Sequence, residues 1–425
     1  MRRSPMNTEG GRKFAFRALW FFVFVGTAYL AIRRYDLFKG VIPKGTSGPG
    51  NDFWQFLHAA RLIAAGHNPY NFSQLAQGNG YVYSPLIALL LVPFAHAGTV
   101  QIWHVWTALS IAAVVLFAGL VTMVEAPILI AWRRPVLFGF TVVTAFQFMP
   151  TTVELNSGQV DTFVLVLLAA SVLVLERGWR VASGVLIGLS AVVKTWPGGA
   201  ALSILRRGRA GRSRALVGLV IALVLAPVLA LAIGGKSGFV DFVKMSIDAR
   251  SQHLASLSVW GVPKLLFSHS GLARPILALA PLQDITTLVL VLWVIGLLVV
   301  ALRWSESSVL CFWNVVACVV LLLPVSHLDY TMYLLPILWI WVARWLTSLR
   351  FNDSVFVTAG LLMLWWIATF DLSPVYLSTV SSLRFSVTFF ANLAAVTVSV
   401  LEDRRRARCG IASSEGASDA LVGKG

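Results

Sequence analysis

The chain has 425 residues, of which 58% are hydrophobic and only 12% charged, with a mean hydropathy of +0.79. Soluble domains carry about 25% charged residues, so a water-soluble globule is excluded and a polytopic membrane protein is implied. The formal net charge of +16 would suggest nucleic acid in a soluble protein, but here Arg and Lys gather in short loops between apolar runs. The positive-inside rule accounts for that pattern, and no nucleic-acid role is assigned.

Residues 1–13 form a basic start (Arg2, Arg3, Arg12, Lys13). The apolar run 14–32 follows it and is long enough to span. No small-residue cleavage site follows in Arg33-Arg34-Tyr35-Asp36, so an uncleaved first span with a cytoplasmic N-terminus is expected.

The polar interval 33–83 contains the most informative stretch, residues 50–70. Phe53, Phe56, Leu57, Ala60 and Ala64 fall at spacings of three and four, which predicts a short amphipathic helix. Asn51 is the expected N-cap, Gly66 the expected C′ residue, and Pro69 bars continuation. Asp52 then lies at the positive end of the helix dipole, which favours its ionised form. Such a carboxylate can cap a dipole and do nothing else, or it can accept a proton.

Further apolar runs of roughly 17–25 residues are candidate spans: 100–123, 136–150, 160–175, 214–234, 285–302, 308–325, 330–347, 354–370 and 385–401. The run 84–97 is short and holds Pro85 and Pro93. The region 181–206 is broken by Trp196-Pro197-Gly198-Gly199 and reads as two short helices meeting near Lys194 and Pro197. Basic loops at Arg177–Arg180, Arg206–Arg214, Arg344–Arg350 and Arg404–Arg408 belong inside, which puts 33–83, 151–159, 235–284 and the turn near His327 outside. Arg133 and Arg134 keep that parity only if one element between 84 and 123 is partial or re-entrant. The sum is about 12 spans in one domain, 14–401, with both termini cytoplasmic, interfacial helices in the outer loops 33–83 and 235–284, and a small polar tail at 402–425 expected to be disordered. Cys311 and Cys318 share a helix face and read as small buried residues; no Cys/His metal cluster is present, and no metal or other cofactor is expected.

Several polar groups collect at the outer ends. Tyr81-Val82-Tyr83-Ser84-Pro85 reads as an aromatic belt before a helix start. Asn156-Ser157-Gly158-Gln159 reads either as a cap and turn or as a headgroup site with exposed amides. Lys194, at a helix break near the hydrocarbon boundary, can snorkel or face a pocket for an anion. Ser326-His327-Leu328-Asp329-Tyr330 reads as a polar turn on the same side as Asp52. Ser256–Gly261, with Asp248, Arg250 and Lys264, reads as an interfacial segment or an outer lid.

In order and content these landmarks resemble glycosyltransferase family 87 of the GT-C superfamily. The matching pieces are Asp52-Phe53 with the Ala-rich run to Gly66-x-Asn68-Pro69-Tyr70, then Tyr83-x-Pro85-Leu86 with Pro93, Gly158-Gln159, Gly184 to Lys194-x-x-Pro197, and Ser326-His327 followed by Pro336. The sequence departs from the family at Leu328-Asp329, where an aromatic residue or a second His is common. The resemblance implies an all-α GT-C membrane fold and a polyprenyl-phosphate-sugar-dependent transferase, similar to α-mannosyltransferases, in a bacterial plasma membrane with its site on the outer face. It implies Asp52 as general base, His327 as a second catalytic residue, and Lys194, Gln159, Asn156 and Tyr83 as donor-binding groups. The expected partners are the lipid-linked sugar and a lipid or glycan acceptor, with no cofactor. The competing reading from another class is a secondary transporter or lipid-carrier flippase, which would need ionisable groups deep in its spans.

Overall fold

A computed structural model describes residues 50–71, 80–206, 208–248, 256–269, 275–348, 353–370 and 382–422, with isolated positions 21, 25, 26 and 29. Most of the expected first span 14–32, the whole of the stretch 33–49, and Arg250 lie outside the described residues. Among those described, every regular element is a helix. They are α1 (Asn51–Ala64), α2 (Pro85–Leu91), α3 (Thr99–Glu125), α4 (Arg133–Gln147), α5 (Met149–Ser157), α6 (Asp161–Glu176) and α7 (Arg180–Val193), then α8 (Arg209–Asp248), α9 (Gly261–Phe267), α10 (Ala280–Trp304), α11 (Ser308–Leu322), α12 (Leu335–Ser348), α13 (Ser354–Phe370) and α14 (Ser382–Val422).

Among the described residues, four helical stretches are long and apolar enough to cross a membrane: Thr99–Ile128, Ala210–Ile247, Ala280–Trp304 and Ser386–Cys409. A fifth crossing is available if α4 and α5 count as one span, bent by 64°. Among the described residues, length therefore supports four or five of the expected spans of about 12 in all. Pro150 at the start of α5, prolines at other element starts and the Trp196–Arg206 turn cut the apolar sequence into shorter pieces. Pro85–Phe94 is a ten-residue apolar element, too short for a hydrocarbon layer of about 30 Å at 1.5 Å per residue. The region 181–206 breaks where expected: α7 stops at Val193, Lys194 is extended, and a 3-10 helix runs Trp196–Arg206.

Helices α7 and α8 meet backbone to backbone. A Cβ on Gly184 would lie 1.9 Å from the Ala215 carbonyl oxygen, one on Gly218 would lie 2.1 Å from that of Val181, and one on Gly188 would lie 2.5 Å from Ala222 Cβ. Small residues at four-residue spacing let membrane helices approach this closely, where dispersion replaces the missing hydrophobic drive. Elsewhere the core is aromatic, with Trp313 and Trp339 packed on Phe117. Buried polar ties join α14 to its neighbours. Ser399 accepts from Trp341 Nε1 and donates to Asn314, while Asn392 accepts from Trp365 Nε1 and donates to Thr331. Cys311 and Cys318 are buried and form no disulfide, and the Cys311 thiol donates to the Ala301 carbonyl.

The interval 235–284, expected on the outer side as interfacial helices, holds two further features. Helix α8 is broken at Gly235 (φ 59°, ψ −152°), so residues beyond it form a separate arm. That arm rests on the end of the α1 segment through an Asn68–Asp241 hydrogen bond (2.8 Å) and a Tyr70–Phe242 ring contact. The stretch read as an interfacial segment or an outer lid, Ser256–Gly261, is stapled to the end of α11 and the turn after it. Leu257 N–H donates to the Ser326 carbonyl (2.7 Å), Val259 N–H to that of Leu321 (3.0 Å), and Ser326 N–H to Ser256 Oγ (2.8 Å). The last helix continues to Val422 through the tail expected to be disordered. The helix-forming run Glu402–Arg408 lets α14 propagate past its apolar part.

Replacing Gly184 by Ala should lower the melting temperature of the detergent-purified protein. The same change at Gly360, a helical position with nothing within 4 Å of the new Cβ, should be neutral or stabilise by about 0.5–1 kcal/mol. Equal melting of the two variants would rule out the close α7–α8 seam.

Candidate functional site

The site is built around the turn between α5 and α6 and the start of α1. Helix α1 begins one residue earlier in role than expected: its N-cap is Gly50 (φ 78°), not Asn51. Gly50 N–H donates to the Asn156 carbonyl (2.7 Å), which fastens the front of α1 to the last turn of α5. Gly158 ends α5 in the left-handed region (φ 70°), and a Cβ there would meet Trp103 at 2.6 Å and Phe53 at 2.7 Å. Only glycine allows this contact. At its other end α1 closes with a Schellman motif at Gly66 (φ 75°), as expected. His67 N–H bonds to the Leu62 carbonyl and Gly66 N–H to that of Ile63.

The buried face of α1 is Phe53, Phe56, Leu57, Ala59 and Ala60; Ala64, assigned to that face by spacing, is exposed. Phe53 packs on Trp103 (5.4 Å) and Trp106 (5.6 Å), and Phe56 packs edge-on to Tyr83 (4.8 Å). Burying each large side chain is worth about 1.5–3 kcal/mol, so this wall fixes the helix that carries Asp52.

The side chains of Gln159 and Ser157 lie beside the Asp52 carboxylate and favour its charged form; the Ser157 hydroxyl itself donates to the Glu154 carbonyl (3.0 Å). Gln159 Oε1 accepts from the Tyr83 hydroxyl (2.9 Å), which leaves its amide N–H groups for Asp52. The helix dipole alone would favour ionised Asp52. Burial outweighs it and pushes Asp52 up to about 6, with Lys194 and the Gln159 hydrogen bond opposing.

Beside these lies a buried charged cluster. Lys194 is ion-paired with Asp161, and the two are 7% and 0% exposed. The ammonium lies 4.4 Å from the Tyr330 ring centroid and 5.9 Å from that of Tyr83. Tyr333 donates to Asp161 Oδ1 (2.6 Å). Glu154, one turn before Gly158, reaches across the turn so that its Oε1 accepts the backbone N–H groups of Asp161 (2.7 Å) and Thr162 (3.2 Å). Helix α6 has no side-chain cap of its own, its N-cap being Val160, so Glu154 serves in that place. Single oxygens of Glu154, Asp161 and Asp329 lie within 4.8 Å of one another. Burial and the Asp161 charge push Asp329, on the turn before α12, upward from the ordinary aspartate range. Three converging carboxylates suit a cation. Here the Lys194 ammonium supplies positive charge at Asp161, and Glu154 Oε1 is already committed to two amides.

The sequence-derived residues divide accordingly. Asp52, Gln159, Tyr83 and Lys194 converge. His327 meets the cluster through an edge contact with the Tyr330 ring (5.5 Å). Asn156 contributes its carbonyl to α1, and its side chain is exposed. The amides expected to be open at the start of α6 are taken by Glu154, so that helix start is not a free anion site. Glu154, Asp161, Asp329, Tyr330 and Tyr333 were not assigned roles from sequence, although an ionisable residue within apolar sequence is by default paired or functional.

An all-helical membrane protein with a buried charge cluster beside a desolvated carboxylate fits either an enzyme or a transporter. A family model described as glycosyltransferase family 87 matches residues 81–326, more than half of the chain; the chain belongs to that family and is a membrane glycosyltransferase. The match contains Tyr83, Asn156, Gln159 and Lys194, begins after α1, and ends one residue before His327. No curated protein matches the chain.

Lys194→Met should destabilise the fold by about 3–5 kcal/mol, because it leaves Asp161 buried without its cation. Adding Asp161→Asn should recover most of the loss in thermal melts. A double variant no more stable than the single one would show that the pair does not hold this part of the fold.

Proposed function

We propose that this glycosyltransferase moves a sugar, mannose, from a polyprenyl-phosphate donor to a hydroxyl of a lipid or glycan acceptor, with inversion, on the outer face of a bacterial plasma membrane. The observation that carries the reading is the meeting of a desolvated carboxylate, Asp52, with a buried ammonium, Lys194, through Gln159 and Tyr83. Asp52 removes the proton from the acceptor hydroxyl. The acceptor oxygen attacks the anomeric carbon from the face opposite the lipid phosphate. The bond from that carbon to the phosphate oxygen breaks, and its electron pair leaves with the phosphate. Lys194 keeps positive charge close to the departing group. Gln159, Tyr83 and Asn156 contact the donor headgroup, and His327 contacts the phosphate or orients Asp52. The donor is a lipid, so no nucleotide site is needed, and no step requires a metal. The outer placement rests on the basic loops that belong inside, with both termini cytoplasmic.

Incubating purified protein with polyprenyl-phosphate-mannose and membrane lipid acceptors should yield a product heavier by one hexose. A panel of glucose- and arabinose-bearing donors, read by product mass, tests the sugar. Asp52→Asn should lower turnover by about 10²–10⁴-fold with little change in melting; equal turnover would remove Asp52 as the base.

The pH profile is a separate test. The base acts only when ionised, so turnover should rise with pH to a plateau above about 6 and fall about tenfold per unit below it. A rate independent of pH between 4.5 and 7 would contradict an Asp52 base titrating at about 6.

A further inference from the structure

A second polar cluster forms where α10 and α14 leave their apolar segments. Trp304 is the last residue of α10, and Glu402–Arg408 follows the apolar part of α14. The carboxylates there are engaged. Asp403 is buried, accepts from Ser305 and faces Arg344 at 3.6 Å. Glu306 pairs with Arg344 (3.4 Å) and Arg406 (3.2 Å), and Glu402 pairs with Arg405 (2.7 Å). Arg303 and Arg404 remain. Both guanidinium groups lie against one ring, 5.3 and 4.8 Å from the Trp304 centroid. Among the described residues neither pairs with a carboxylate, and the Nε–H of Arg404 is buried without an acceptor.

Two guanidinium groups gathered on one indole concentrate positive charge that an anion would neutralise. Their position names the kind of anion. Val299 on α10 and Leu401 on α14 are exposed apolar side chains just inside the boundary, a surface for acyl chains rather than water. Trp at the boundary and guanidinium forks on phosphate are both favoured pairings. We propose that Arg303, Arg404 and Trp304 form a binding site for the headgroup phosphate of an anionic phospholipid whose tails run along α10 and α14.

The test uses the full chain in nanodiscs of phosphatidylcholine and phosphatidylglycerol, with retained lipids counted by native mass spectrometry. Wild type should retain phosphatidylglycerol preferentially. R303Q and R404Q should each reduce that preference roughly fivefold and the double variant further, following the contribution of one basic side chain at a charged surface. R405Q, whose charge is spent on Glu402, should leave it unchanged. Inorganic phosphate should not displace the lipid. The proposal fails if the double variant keeps the wild-type preference, if R405Q lowers it as much, or if inorganic phosphate competes. Should the double variant not fold, R303Q at its exposed position decides alone.

Discussion

The structure depends on keeping Lys194 charged out of water. A buried ammonium costs several kcal/mol in desolvation, and a carboxylate beside it recovers that only when further hydrogen bonds complete both groups. Each accessory needed is present and comes from a different part of the chain. Asp161 supplies the counter-charge, Tyr333 its second hydrogen bond, the Tyr330 ring a face for the ammonium, and Glu154 a cap for the helix that begins at Asp161. The breaks around this region follow from the same need. Helix α7 stops one residue before Lys194 so that the side chain can reach the α5–α6 turn, and α5 turns by 64° against α4, bringing Glu154 to that turn.

The base candidate sits on the edge of this arrangement. Burial first, and the nearby negative charge of Asp161 after it, push Asp52 upward, while the Lys194 ammonium opposes them. An aspartate drawn up to about 6 is half-poised near neutrality, the range in which proton transfer is most efficient. The family match starts after α1, so the link between Asp52 and the matched region is structural. It consists of the Gly50–Asn156 bond, the Phe53 contact at Gly158 and the Gln159 bridge.

Much of this was legible in the sequence, and the exceptions have physical causes. The amphipathic spacing around Phe53 and Phe56 specified α1, and Gly66 with Pro69 specified its end, because local geometry decides both. The break at Lys194-Thr195-Trp196-Pro197 was equally local. Hydropathy marks more apolar runs than there are described helices long enough to cross a membrane, since it measures apolar content but not the bends imposed by proline and short 3-10 segments. The Lys194–Asp161 pair joins residues 33 apart, and Tyr333 is still more distant, so no spacing rule could connect them. The ionised state expected of Asp52 considered the dipole of its own helix and omitted the aromatic wall that desolvates it. Glu154 was visible as a charge in apolar sequence, but its partners, two backbone amides across a turn, were not.

The seam between α7 and α8 sets how well Lys194 is held. Gly184 and Gly188 bring main chain against main chain, so at these positions no rotatable side chain separates the two helices. The root of the lysine, six residues beyond Gly188, therefore inherits the stiffness of two hydrogen-bonded cylinders in direct contact. Thermal wander at that root is small, and the entropy that would otherwise be lost in holding an ammonium at one point is already spent when the chain folds.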